Sequence, residues 1–189
     1  MPQIRQLTIE FDELPDLVRR HRMKYPDTPA VEAFARTLIK NDFSAHEADC
    51  FVYKVCKWGG YAGIWGKVRR RNEPQAISDA MRRAYHFLTR GRPVDGLREV
   101  SRLKCLGRPS FASKHLRFLA PWSAVVLDSI ISGNLGYPYR PEGYALLLAD
   151  CSRFAHEVNK AGVEHPFRPG EDWYVSDVEL AVFAKLRGL

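Results

Sequence analysis

Between Leu103 and Asp128 the chain reads LKCLGRPSFASKHLRFLAPWSAVVLD: a glycine turn, a basic amphipathic helix, an apolar connector and one isolated carboxylate. Backbone N–H groups at a turn that feeds a helix N-terminus form a ready phosphate site, and Leu106-Gly107-Arg108-Pro109-Ser110 has that form. The same residues would also serve an ordinary αα-hairpin. Asp128 follows the apolar run Ala124–Leu127 and precedes Ser129-Ile-Ile-Ser132. Two roles are open to it: an N-cap, or a carboxylate that activates water or stabilises a developing cation. Lys114 lies one turn beyond Ser110 on the same helix face and points back toward the helix start. It is either an amine directed at that site or a phosphate contact.

A second cluster precedes the turn. Lys57-Trp58-Gly-Gly-Tyr61 and Gly63-Ile-Trp65-Gly66 interleave aromatics with glycines. Glycines admit another group close to the backbone, and exposed aromatics stack on bases. Trp58, Tyr61 and Trp65 are thus candidates for a base pocket, with core packing as the other role for Trp65. Lys67, Arg69, Arg70, Arg71 and Asn72 follow as a basic loop suited to phosphates. Charge is segregated accordingly. Residues 67–117 carry 14 Lys or Arg against 4 Asp or Glu, whereas the whole chain has 29 against 22 and the remainder is slightly acidic. Such a basic face fits a polyanion.

The elements that must position these residues are helical. Thr28-Pro29, the capping box Ser44-Ala-His-Glu47, Pro74, Pro141 and a second capping box Ser176-Asp-Val-Glu179 mark helix starts. Helices are expected over about Thr28–Lys40, from Ser44 to Gly59, from Pro74 to Gly91, Val94–Leu103, Ser110–Leu119, from Asp128, from Pro141 to Gly162, and Asp177–Leu186. Only Gln6–Phe11 and Ala124–Leu127 carry ambiguous strand signals. The 189 residues form one all-α domain with no internal repeat or linker. No run reaches the roughly 18 apolar residues of a membrane helix. The first residues carry acids and no apolar core of a signal peptide, so a cytoplasmic location is expected. Cys50, Cys56, Cys105 and Cys151 form no CxxC pair and are expected as reduced, mostly buried thiols. His46, His86 and His115 match no metal spacing, and His115 is expected on a helix face near DNA.

The order of glycine hairpin, helix and isolated Asp about twenty residues on resembles the helix-hairpin-helix DNA glycosylase superfamily. Ser110-Phe-Ala-Ser-Lys114, Leu127-Asp-Ser129, Lys57-Trp-Gly-Gly60 and Ser176-Asp-Val-Glu179 look like its bacterial 8-oxoguanine glycosylase-like branch. The resemblance implies a two-lobe helical fold, with the hairpin at about residues 94–120 and a cleft between the lobes. A damaged or modified base is flipped into the cleft and its glycosidic bond is cleaved, leaving an abasic site. Asp128 takes the position of the catalytic Asp. The family's catalytic Lys falls at Ser110 or Phe111, so Lys114, about 6 Å further along the helix, is the available lysine. Cys105 stands where the first hairpin glycine is usual. Two mechanisms follow: ionised Asp128 directs water to C1′, or neutral Lys114 attacks C1′ and forms a Schiff base. A depressed Lys114 pKa is expected amid Arg108, Arg117 and the helix start. The partner is double-stranded DNA containing an oxidised purine or a hypermodified base such as a phage cytosine. That places the protein in DNA repair or phage defence. No membrane is involved, the chain is expected to be monomeric, and no cofactor is implied beyond, at most, a structural monovalent cation at the hairpin. The rival is a non-catalytic helix-hairpin-helix DNA-binding protein.

Overall fold

Prolines open six of the helices in the computed structural model, which describes residues 3–189. Proline fits there because its ring fixes a helical φ and its missing N–H would have no partner in the first turn. A two-residue antiparallel hairpin, β1 (Gln3–Ile4) and β2 (Leu7–Thr8), comes first, with Ile4 opposite Leu7. Then follow α1 (Leu14–Lys24), α2 (Thr28–Lys40), α3 (Ala45–Trp58), α4 (Ala62–Arg71) and α5 (Pro74–Thr89). The rest of the chain forms α6 (Pro93–Ser101), α7 (Pro109–Leu119), α8 (Ser129–Leu135), α9 (Pro141–Lys160) and α10 (Val175–Arg187). The all-helical expectation holds.

Local details differ from the sequence expectation in several places. α1 was not among the expected helices, although Pro15 and Asp16 stand in its first turn; Leu14, Leu17, Val18 and His21 form its buried stripe. The ambiguous run Gln6–Phe11 supplies only the strand Leu7–Thr8, and Ala124–Leu127 is extended and buried with no strand beside it. That segment is instead tied to α7, where the Ser113 hydroxyl accepts from the Leu127 N–H at 3.2 Å. The last helix starts at Val175 rather than Asp177, because the Asp177 carboxylate reaches back to accept from the Tyr174 N–H at 2.8 Å. At Ser44 the N-cap half of the expected box forms, with the hydroxyl accepting from the Glu47 N–H at 3.4 Å, while the Glu47 carboxylate accepts from the Ser44 hydroxyl at 2.8 Å rather than from its backbone N–H.

Two helices run through the interior. Every residue of α10 from Val175 to Ala184 is buried, and it packs against α1, α8 and α9. From Ala112 to Leu119 α7 is buried too, between α2, α3, α5 and α6. Its basic residues therefore do not make the amphipathic surface expected of them. Arg117 is 1% exposed and pairs with Glu32 at 2.8 Å. His115 is buried rather than on a face near DNA, with its Nδ1 2.7 Å from the Phe111 carbonyl oxygen, and burial depresses its pKa to about 4.

The extended lead into α9 leaves no room for a side chain at Gly143. A Cβ there would sit 1.8 Å from the Pro138 carbonyl oxygen. Gly143→Ala must push α9 off this turn, and the expected loss is about 2–3 kcal/mol of unfolding free energy. Urea denaturation measures it; a variant as stable as the parent chain contradicts the close packing.

Candidate active site and nucleic-acid groove

The hairpin turn is built by a residue that is not glycine. Cys105 has φ +75°, the left-handed conformation in which a Cβ is disfavoured. Asn72, the residue after α4, fixes the turn from outside. Its side chain donates to the Lys104 carbonyl at 3.1 Å and accepts from the Lys104 N–H at 2.9 Å. Asn72 is thus a brace for the hairpin, and its amide is committed to the protein. Among the described residues, the N–H groups of Gly107, Arg108 and Ser110 have no protein acceptor, so they are free for an anion.

The expected basic loop is helical instead. Lys67 to Arg71 form the last turns of α4, which runs through Gly63 and Gly66 despite their low helix propensity. Helical spacing divides these side chains between two faces. Lys67, Arg70 and Arg71 line a groove of about 720 Å³ with Tyr61, Ile64, Phe111 and the hairpin residues Cys105, Gly107 and Arg108. No carboxylate lines it. Arg69 turns the other way, 3.9 Å from Asp49 and over the ring of Trp65. Trp65 also faces α3, donating to Asp49 at 3.0 Å and packing edge-on against Tyr53. Trp65 and Arg69 thus lie against α3, and neither lines the groove or the cavity beside it.

That cavity, of about 150 Å³, brings together Trp58, Tyr61, Ser110, Lys114 and Asp128. Its walls are the aromatic group His21, Tyr25, Trp58 and Phe183; the His21 ring stacks on Tyr25 at 4.7 Å and meets Phe183 edge-on. Trp58 is fixed by its indole N–H, which donates to Thr28 at 2.9 Å, and by the edge-on ring of Phe118. Half-exposed Tyr61 belongs to both spaces and packs edge-on against Phe111. The cavity thus opens beside the basic groove.

Asp128 fills both of its open roles at once. It is the N-cap of α8, with Oδ1 accepting from Ile130 at 3.0 Å and Ile131 at 2.9 Å, and it lines the cavity. Its Oδ2 has no protein donor among the described residues. Lys114 is 9% exposed, and its Nζ donates to the Ser110 carbonyl at 3.3 Å. Gly59 makes room for its stem: a Cβ there would lie 3.1 Å from Lys114 Cδ. The glycine pair after Trp58 thus admits a side chain of the protein itself. Burial pulls the Lys114 ammonium below the usual lysine range, opposed in part by Asp128, Glu179 and Cys56. Arg108 and Arg117, expected to depress it, are not among the causes.

Glu179, His21, Tyr25 and Phe183 were not anticipated as site residues. Glu179 is 2% exposed, lines the cavity from α10, and leaves Oε2 without a partner. Burial, reinforced by Asp128, pushes its carboxyl up to about 8, against the attraction of Arg117, a Val126 backbone contact and Lys114. It is therefore mostly a neutral carboxylic acid at pH 7. His21 is neutral as well, its pKa depressed by burial to about 3. The arrangement places a desolvated amine, a capped carboxylate and a carboxylic acid within one aromatic cavity. No set of three or more His, Cys, Asp or Glu suited to a metal occurs among the described residues. No helix is long and apolar enough to cross a membrane among those residues. Comparison with protein-family models, curated proteins and solved structures finds no match.

Folding raises the Glu179 pKa from an ordinary 4.5 to about 8, so the folded chain keeps a proton that the unfolded chain releases. This contribution is full below pH 4.5 and is lost as pH rises toward 8. His21 acts in the opposite direction, costing stability as pH falls below 6.5. Above that pH, the parent chain should lose stability relative to Glu179→Gln by up to about 1.4 kcal/mol per pH unit. Denaturant midpoints of both proteins between pH 6.5 and 8 measure the difference. A constant difference contradicts a buried neutral carboxyl.

Proposed function

We propose that the protein is a DNA glycosylase that flips a damaged or modified base into the cavity and cleaves its bond to sugar C1′. One observation carries this reading: Lys114 and Asp128 share a cavity that opens beside a groove lined by four cations and no carboxylate. The groove grips the strand through Lys67, Arg70, Arg71 and Arg108, and the free N–H groups at Gly107, Arg108 and Ser110 take a phosphate. The flipped base enters past Tyr61 and stacks among Trp58, Tyr25 and Phe183. Stacking offsets the few kcal/mol that unstacking a base costs.

Of the two mechanisms, the burial of Lys114 favours attack by the amine. Neutral Nζ donates its electron pair to C1′, and the electrons of the C1′–N bond leave with the base, which takes a proton. Asp128 stabilises the cationic sugar as that bond breaks, and its carboxylate receives the proton that Nζ sheds. Ring opening of the resulting adduct gives a Schiff base. The neutral Glu179 carboxyl donates a hydrogen bond to an acceptor on the base, a contact that an ionised carboxylate cannot make.

Alkali-induced strand breaks in a panel of duplexes test the proposal, with 8-oxoguanine and glucosylated hydroxymethylcytosine as the first two substrates. The parent chain should break at least one duplex at the modified position, and Asp128→Ala should lower the rate about 100-fold or more. Cleavage of the oxidised purine points to repair, and cleavage of the glucosylated cytosine to phage defence. Breaks that persist in Asp128→Ala remove that residue from its role. Salt-sensitive binding with no break across the panel leaves a non-catalytic DNA-binding module.

A further inference from the structure

A second cavity, of about 490 Å³, lies between α2, the end of α7 and the chain from Arg168 to Asp177. It shares no lining residue with the base cavity. Phe118 separates the two, lining this cavity while packing edge-on against Trp58 of the other. Its volume falls in the range typical of small-molecule sites.

The charges in this cavity are unequally used. Each of its three carboxylates already has a cation. Glu32 is 2.8 Å from Arg117 and 3.9 Å from Arg22, Glu171 is 3.4 Å from Arg168, and Asp177 pairs with Arg168 and with His165. Arg36 and Lys40 have no ion pair among the described residues. They are four residues apart on α2, hence one turn apart on one ridge, and both line the cavity. Two cations at that spacing can hold a single phosphate between them.

The remaining wall is aromatic. Tyr85, Phe118, Trp122 and Tyr174 line it. The face of Tyr174 is covered by the Arg168 guanidinium at 4.1 Å, but Trp122 is 47% exposed. Trp122 thus offers an open flat surface for a planar ring, which stacking on indole would remove from water. The cavity therefore combines two unpaired cations with an exposed indole. Two free cations match one phosphate group better than a polyphosphate chain.

We propose that this cavity is a binding site for a nucleoside monophosphate, with the phosphate between Arg36 and Lys40 and the base on Trp122. The proposal does not depend on glycosylase activity. Isothermal titration of the full chain with dAMP and dCMP, followed in parallel by tryptophan fluorescence, tests it. Adenosine and inorganic phosphate serve as the two half-ligands, and Arg36→Ala/Lys40→Ala, Trp122→Ala and Asp128→Ala as the variants. The expected result is one saturable site that binds the nucleotide more tightly than either half-ligand. Affinity should fall about tenfold or more in the α2 double variant and in Trp122→Ala, and stay unchanged in Asp128→Ala. Melting curves check that the exposed substitutions leave the fold intact. Three results overturn the proposal: no saturation at millimolar nucleotide, phosphate alone binding as tightly, or binding lost in Asp128→Ala and kept in the α2 variant.

Discussion

A lysine side chain held out of water beside two carboxyl groups is the constraint on which the site depends. Water stabilises an ammonium strongly, so burying Lys114 must be balanced either by loss of its proton or by close opposite charge. Glu179 does not supply that charge, because burial, reinforced by the nearby Asp128, keeps its proton on. The outcome is a division of labour. Asp128, held by two backbone N–H groups at the start of α8, keeps the place suited to a negative charge. Glu179, on the wholly buried stretch of α10, holds a proton. Lys114 is left with a lowered pKa and one backbone acceptor at Ser110.

The rest of the fold serves to keep these three groups together. Ser113, next to Lys114 on α7, holds the extended segment that ends at Asp128. Val126 in the same segment contacts Glu179 on α10. Gly59 lets the lysine stem pass under the end of α3, and Trp58 beside it is anchored to α2 through Thr28. A change at any of these contacts would be felt at the amine without touching it. The basic groove is assembled separately, from one face of α4 and from a turn that Asn72 braces. Tyr61 lines both spaces, and Ser110 links the hairpin turn to the cavity wall.

How far the sequence could be read depended on whether the signal was local. The starts at Thr28-Pro29, Ser44, Pro74 and Pro141 are local chemistry, and the helices they open stand where expected, whereas Pro15 at the start of α1 went unread. Asp128, Trp58, Tyr61 and Lys114 were legible because each sits in a short motif with its own geometry. Arg69 and Trp65 fall outside the groove and the cavity because α4 continues where a loop was expected, and a helix sends neighbouring residues to different sides. His21, Tyr25 and Phe183 carry no motif; they become walls only when α1 and α10 pack together. Glu179 had a signal that was read as capping. A lone glutamate within the otherwise apolar interior of a helix marks a buried acid, but the boundary at Ser176 hid it. The basic character of α7 misled for the same reason: its charge is legible, and its burial is a tertiary fact.

The central claim is that the Lys114 amine reaches the sugar. Borohydride reduces an imine to a stable amine, so incubating the protein with borohydride and a duplex carrying an abasic site fixes any Schiff base in place. Peptide mapping by mass spectrometry then locates the linked residue. The account predicts a protein–DNA adduct on Lys114 that is absent from Lys114→Ala. An adduct on another residue that persists in that variant, or no adduct at all, contradicts it.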